Sequence, residues 1–184
     1  MFKQTDEKLI NKALKGNQPA WQQLVTRYES CVYQYALRMT SNADDAMDLM
    51  QETFISVCRS LPEFRGDSAF KTWLMRIAHF RLIEFYRRRK WFADESELDN
   101  LDADPQQACP ELAFGNQQVQ RQILMLMKQL PFEQKLIVEL KVFQQQTFDG
   151  ISQQLGISNN TVKSRFYSAL DKLKVLLEAN YDAA

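Results

Sequence analysis

Apolar residues along this chain recur every three or four positions, and few stretches alternate as a strand would. Leu9, Ile10, Ala13 and Leu14 mark a short amphipathic helix that stops near Gly16. Pro19 suits the first turn of a second helix, carried onward by Trp21, Leu24, Val25, Tyr28, Val32, Tyr35, Ala36 and Met39. Ser41 or Asn42 caps a third, with Asp44 and Asp45 in the first turn, where acids suit the helix dipole. That helix runs to about Leu61, before Pro62. A loop around Arg65-Gly66-Asp67-Ser68 then leads into a long helix from about Ala69 to Lys90. A second run of helical periodicity starts near Asn116 and reaches the C-terminus, with breaks at Leu130-Pro131, Gln144 to Thr147 and Leu155-Gly156-Ile157-Ser158. Between the two runs the apolar stripe lapses, and Pro105 and Pro110 appear. The pattern predicts an all-α chain of two small helical domains, 1–92 and 116–184, joined by a flexible linker over 93–115.

Composition changes this picture little: 45% hydrophobic, 25% charged, and only five Gly and five Pro, as short connections between helices require. Charge changes it more. The net charge is zero, yet the linker holds Asp94, Glu95, Glu97, Asp99, Asp102, Asp104 and Glu111 with no base among them. Three cysteines, Cys31, Cys58 and Cys109, are too far apart for a metal site and fit a reducing compartment. With no leader and no apolar run near the roughly 18 residues of a membrane span, a cytoplasmic protein is expected.

The counterweight to the linker lies between Arg59 and Lys90. Nine bases fall there against three acids, Glu63, Asp67 and Glu84. Phe64, Phe70, Trp73, Phe80, Phe85 and Tyr86 are interleaved with them. Cations alone suit a polyanion; cations spaced by flat rings suit separated nucleic-acid strands, whose bases can stack. Rings at helical spacing also fill cores, so Trp73, Phe80 and Phe85 fit either role. His79, the only histidine, reads as a polar surface contact.

Thr147 to Leu177 follows helix-turn-helix grammar. Phe148, Ile151 and Leu155 point inward, Gly156 ends the helix, Ile157 plugs the corner and Ser158 caps the next helix. Val162, Phe166, Ala169, Leu170, Leu173 and Leu177 then form one apolar stripe. Asn159, Asn160, Lys163, Ser164 and Tyr167 open the other face, where a recognition helix meets base edges in the major groove. A plain three-helix packing unit would share this grammar.

On the third helix Asp45, Asp48 and Glu52 share a face, flanked by Gln51 and Ile55. Met47, Met50, Phe54 and Cys58 are expected to face the core. Three unpaired acids on one face suit either plain solvation or docking on a basic protein partner.

Four segments carry a resemblance: DDAMDLMQETFISV (Asp44 to Val57), FRGDSAFKTWLMRIAHFRLIEFYRRR (Phe64 to Arg89), LPFEQK (Leu130 to Lys135) and GISQQLGISNNTVKSRFYSAL (Gly150 to Leu170). In this order they resemble the bacterial sigma factors of the sigma-70 family, in the small extracytoplasmic-function (ECF) class. The resemblance implies a region 2 helical bundle over 1–92 and a region 4 helix-turn-helix over 116–184. It implies core RNA polymerase docking by Asp45, Asp48, Gln51, Glu52 and Ile55. Phe64, Arg65, Ser68, Lys71, Trp73, Arg76, His79, Arg81, Arg87 and Arg88 would engage and melt the promoter −10 element. Ser158, Asn159, Asn160, Thr161, Lys163, Ser164, Arg165 and Tyr167 would read the −35 element as duplex. The linker would thread the polymerase channel, its acids mimicking nucleic acid.

The resemblance also implies promoter DNA and core RNA polymerase as partners, an anti-sigma factor as inhibitor, and no cofactor, metal or catalytic activity. A free-standing regulator binding duplex operators would explain the helix-turn-helix but neither the basic-aromatic helix nor the acidic face. An enzyme has little support: phosphate loop, zinc spacing and nucleophile–base sets are all missing from the sequence.

Overall fold

The structure, a computed structural model, describes residues 4–93 and 117–182, with side-chain surroundings for 4–89 and 121–178. The acidic linker read over 93–115 thus lies almost wholly outside the described residues. The chain divides into two compact units, and among the described residues both are built of helices without a strand. No helix among them is long and apolar enough to cross a membrane.

The first unit holds α1 (Asp6–Ala13), α2 (Gln18–Thr40), α3 (Ala43–Ser60), a 3-10 turn (Leu61–Glu63) and α4 (Phe70–Ala93). Its helix starts are set locally. Thr5 accepts from the Lys8 amide, Asn17 from Ala20, and Asn42 from Asp45. Each satisfies an amide that the first turn would leave unpaired. Of the two expected caps Asn42 does this work, while Ser41 closes α2 in a left-handed conformation at φ 57°. Helix α2 is the central element and packs against α1, α3 and α4. Leu24, Val32, Tyr35, Ala36 and Met39 from α2 meet Leu49 and Val57 from α3 in one core with Leu74, Ala78 and Leu82 from α4. Tyr28 and Arg27 of α2 both bond the Asp6 carboxylate and so tie α1 down; burial and that carboxylate push the Tyr28 phenol well above its usual range.

The inner face of α3 differs from the expected one. Ala46, Leu49, Thr53, Ser56 and Val57 are buried with Phe54, whereas Met47 and Cys58 are exposed. Helical phase decides this: the face that meets α2 and α4 carries Ala46, Thr53 and Ser56 beside Leu49, Phe54 and Val57. The two inward hydroxyls cause no deficit, because Thr53 donates to the Leu49 carbonyl at 2.7 Å and Ser56 to that of Glu52 at 2.7 Å.

The second unit holds α5 (Gln117–Lys128), α6 (Phe132–Val138) running into a π-helical turn (Glu139–Phe143), α7 (Phe148–Leu155) and α8 (Asn159–Asp182). Helix α8 is the hub, packed by α5, α6 and α7. Met127, Leu130, Ile137, Leu140, Ile151, Val162, Phe166 and Ala169 form the core. Beyond Ala169 the expected stripe is incompletely covered, since Leu170 and Leu177 are exposed. Lys135 is buried in α6; burial, with Lys128 nearby, lowers its ammonium to about 8.

Candidate nucleic-acid interface

Helices α3 and α4 run antiparallel, as three contacts show. Arg81 Nε donates to Ser56 Oγ at 2.7 Å, Arg88 meets Glu52 at 2.9 Å, and Arg89 meets Asp45 at 2.7 Å. Two of the three α3 acids expected to be unpaired therefore have partners, 36 and 44 residues away in sequence. Asp48 is exposed and makes no ion pair among the described residues. Around it lie Gln51, Met47 and Ile55, the last 51% exposed. An exposed strip of acid, amide and two apolar side chains is a surface that a protein partner with basic and apolar groups fits.

Along α4 the row Phe70, Leu74, Ala78 and Leu82 points into the core, a strict four-residue repeat. The opposite row, Arg76, Phe80, Ile83 and Arg87, faces water. That phase sorts the rings. Phe70 is 4% exposed and anchors a cluster with Tyr28 at 5.5 Å, Phe64 at 5.6 Å and Trp73 at 5.8 Å. Phe64 and Trp73, 5.0 Å apart, are half-buried on its outer side. Tyr86 donates to the Met39 carbonyl at 2.6 Å, and burial pushes its phenol up to about 12. Phe85 packs edge-on against Tyr86 under the Arg89 guanidinium. Phe80 alone among the rings of residues 64–86 is largely exposed, at 59%, with the Arg81 guanidinium 5.8 Å from its centre.

The loop before α4 faces α1 across an open groove. Phe64, Arg65, Gly66, Ser68 and Ala69 form one wall, and Asp6, Glu7, Ile10, Asn11 and Leu14 the other. Gly66 turns the loop at φ 79°, a conformation that favours glycine.

In the second unit Thr147 caps α7 by accepting from the Gly150 amide at 3.0 Å. Gly156 ends α7 at φ 66°. The corner is locked by Ser152, which accepts the Ile157 amide on its carbonyl at 3.3 Å and donates its hydroxyl to the Ile157 carbonyl at 2.5 Å. Ser158 starts α8, accepting from the Thr161 amide at 3.1 Å while the two hydroxyls meet at 2.7 Å. Val162, Phe166 and Ala169 are buried, so Asn160, Lys163, Ser164 and Tyr167 emerge together on the outer face.

Family models describing Sigma-70 region 2 and Sigma-70, region 4 match residues 24–92 and 120–173, one on each unit. The chain belongs to the sigma-70 family. Its relatives place it in the ECF class. It is 28% identical over 177 residues to the ECF RNA polymerase sigma-E factor of Escherichia coli K12, covering 92% of both chains. It is 27% identical over 192 residues to the RNA polymerase sigma-H factor of Pseudomonas aeruginosa, covering 97% of this chain and 96% of the relative. Two solved structures share the fold. CnrH in complex with the cytosolic domain of CnrY is 25% identical, with a TM-score of 0.63, over 95% of this chain and 97% of its own. The sigma factor RpoE of Bartonella quintana, in complex with the anti-sigma factor NepR, is 22% identical, with a TM-score of 0.70, over 86% and 96%.

The residues expected to act in this sigma factor fall into two sets. Arg65, Lys71, Arg76 and Arg87 are exposed and make no ion pair among the described residues; Ser68 lines the groove. Other residues are already engaged. Arg81 is half-buried, held by Ser56 and by Glu84 at 2.6 Å, and Arg88 is paired with Glu52. His79 is half-buried rather than on the surface, its Nδ1 3.2 Å from the hydroxyl of the fully buried Tyr35, and burial lowers its pKa. In α8 the Asn159 amide bonds the Asp149 carboxylate and Arg165 meets Glu133 at 2.5 Å, while Ser158 and Thr161 form the cap. Phe80 and Met47, absent from the expected contact residues, stand beside them on the same faces. Their helical phase was the available signal.

Proposed function

We propose that this sigma factor docks core RNA polymerase through the outer face of α3, around Asp45, Asp48, Gln51, Glu52 and Ile55, and guides it to promoters. The loop from Phe64 to Ser68 and the outer row of α4 engage, open and hold the −10 element. The outer face of α8, from Asn160 to Tyr167, reads the −35 element as duplex. One observation carries the reading. Arg65, Lys71, Arg76 and Arg87, which make no ion pair among the described residues, accompany an exposed Phe80 and a half-buried Phe64–Trp73 pair on one small unit.

Opening a base-pair step costs a few kcal/mol of stacking, and an aromatic platform returns about 1–3 kcal/mol per captured base. The cations add backbone affinity that falls with salt. Phe80 is the open platform, while Phe64 beside the groove can flank an extruded base. Polymerase supplies the chemistry, so the chain itself is not an enzyme, and it works in the cytoplasm. The domains are 1–92 and 116–184, with the acidic 93–115 segment running along the polymerase channel. An anti-sigma factor holds the protein inactive, as the likeness to the ECF class implies; the related CnrH was itself solved in complex with another protein, the cytosolic domain of CnrY.

The test is run-off transcription with core polymerase on genomic promoter fragments. Discrete starts that depend on the protein are expected. DNA binding without polymerase, together with no starts, would instead establish a free-standing regulator.

A further inference from the structure

Two asparagines, Asn159 and Asn160, open helix α8, and their side chains keep different company. The Asn159 Nδ2 donates to the Asp149 carboxylate of α7, and its Oδ1 is buried with no hydrogen-bond partner among the described residues. One end of that carboxamide is bonded and the other covered, so it is closed to a base edge. Asn160 is exposed, and its side chain makes no hydrogen bond among the described residues. It shares the outer face of α8 with Lys163, Ser164 and Tyr167, which follow at helical spacing, opposite the buried Val162, Phe166 and Ala169. Ser158 fixes the turn that carries it by accepting from the Thr161 amide at 3.1 Å.

We infer that Asn160 selects adenine at one position of the −35 element. The inference rests on the proposed reading of that element by α8. In the major groove adenine presents an acceptor at N7 and a donor at N6. A carboxamide meets both at once, Nδ2 donating to N7 and Oδ1 accepting from N6. Of the four outer residues Asn160 alone carries that pair of groups. Lys163 only donates, which suits guanine or a phosphate, and Ser164 and Tyr167 each offer a single hydroxyl. Asn160 also lies in the first turn of α8, the part of a recognition helix that meets base edges. Asn159, tied back to α7, is a positioning residue for that turn.

The test uses holoenzyme assembled from the full chain and core polymerase, on a promoter found by run-off transcription. Its −35 region is randomised, and bound and unbound duplexes are sequenced. The parent should favour adenine at one position by about 5- to 100-fold over other bases. Asn160→Ala should abolish that preference and keep those at the other positions. Alanine favours the helix at this exposed site, so the loss is not a folding defect. Asn159→Ala should keep the adenine, whatever it does to affinity. A parent without the preference overturns the inference. So does a preference that survives Asn160→Ala, one that vanishes with Asn159→Ala, or an Asn160→Ala that weakens all sequences alike, as loss of a backbone contact would. Lys163→Ala/Tyr167→Ala separates the inference from the reading beneath it. Altered preferences at other −35 positions keep α8 as the reader, whereas a pattern unchanged by this variant and by Asn160→Ala sinks both.

Discussion

Phe80 and His79 are neighbours in sequence with opposite surroundings, because a helix turns successive residues by 100°. Phe80 leaves most of its ring in water, so a nucleobase can cover it. Phe80→Ala should lower promoter opening about 5- to 100-fold, from the stacking of one base. Opening is read by permanganate reactivity of unpaired thymines. Phe80→Tyr should retain it, and a template with a pre-formed bubble should relieve much of the alanine defect. His79 faces inward to Tyr35, and burial holds its pKa below 6.5. The unfolded chain therefore takes up this proton first as pH falls, and stability drops below about pH 6.5. His79→Gln should flatten the fall of Tm below about pH 6.5 relative to the parent. Arg76 and Arg81 also separate. Arg76→Met should weaken DNA binding, reduce its salt slope by about 1 and leave stability within about 0.5 kcal/mol. Arg81→Met should lower stability by about 1 kcal/mol through loss of the Ser56 hydrogen bond, measured by urea denaturation.

At the scale of elements, the expected helices match because their signals are local. Gly16, Asn17-Gln18-Pro19, Asn42 and Pro131 stop or start helices through their own backbones and nearest amides. The helix-turn-helix rests likewise on Thr147, Gly156 and Ser158. At Gly156 a Cβ would meet nothing within 4 Å, so Gly156→Ala bears only the left-handed backbone penalty. A loss of about 1–2 kcal/mol in the second unit is expected by denaturant melts, with the first unit unaffected. Which side of an element faces inward was less legible. In α3 the apolar Met47 and Cys58 were expected in the core, yet both are exposed, while Ala46 and Thr53 are buried on the face that meets α2 and α4. In α8 the apolar stripe continues past Ala169, but the covering helices do not reach all of it, so Leu170 and Leu177 stay exposed.

For the whole molecule, two units with separate cores predict separable folding. Fragments 1–92 and 116–184 should each show a cooperative helical melt by circular dichroism, and together reproduce the melt of the full chain. A fragment that stays unfolded alone would refute its boundary. The sequence by itself determined the helical class, most helix ends, the helix-turn-helix corner and the segregation of charge, since each depends on periodicity or on residues within a turn of one another. It also exposed the four ordered motifs that point to the sigma-70 family. Tertiary structure alone decided which rings fill the core and which remain open, because that depends on what packs across each helix. It alone joined Glu52 to Arg88 and Asp45 to Arg89. Those partners lie 36 and 44 residues apart, and only the antiparallel packing of α3 on α4 brings their charges within reach.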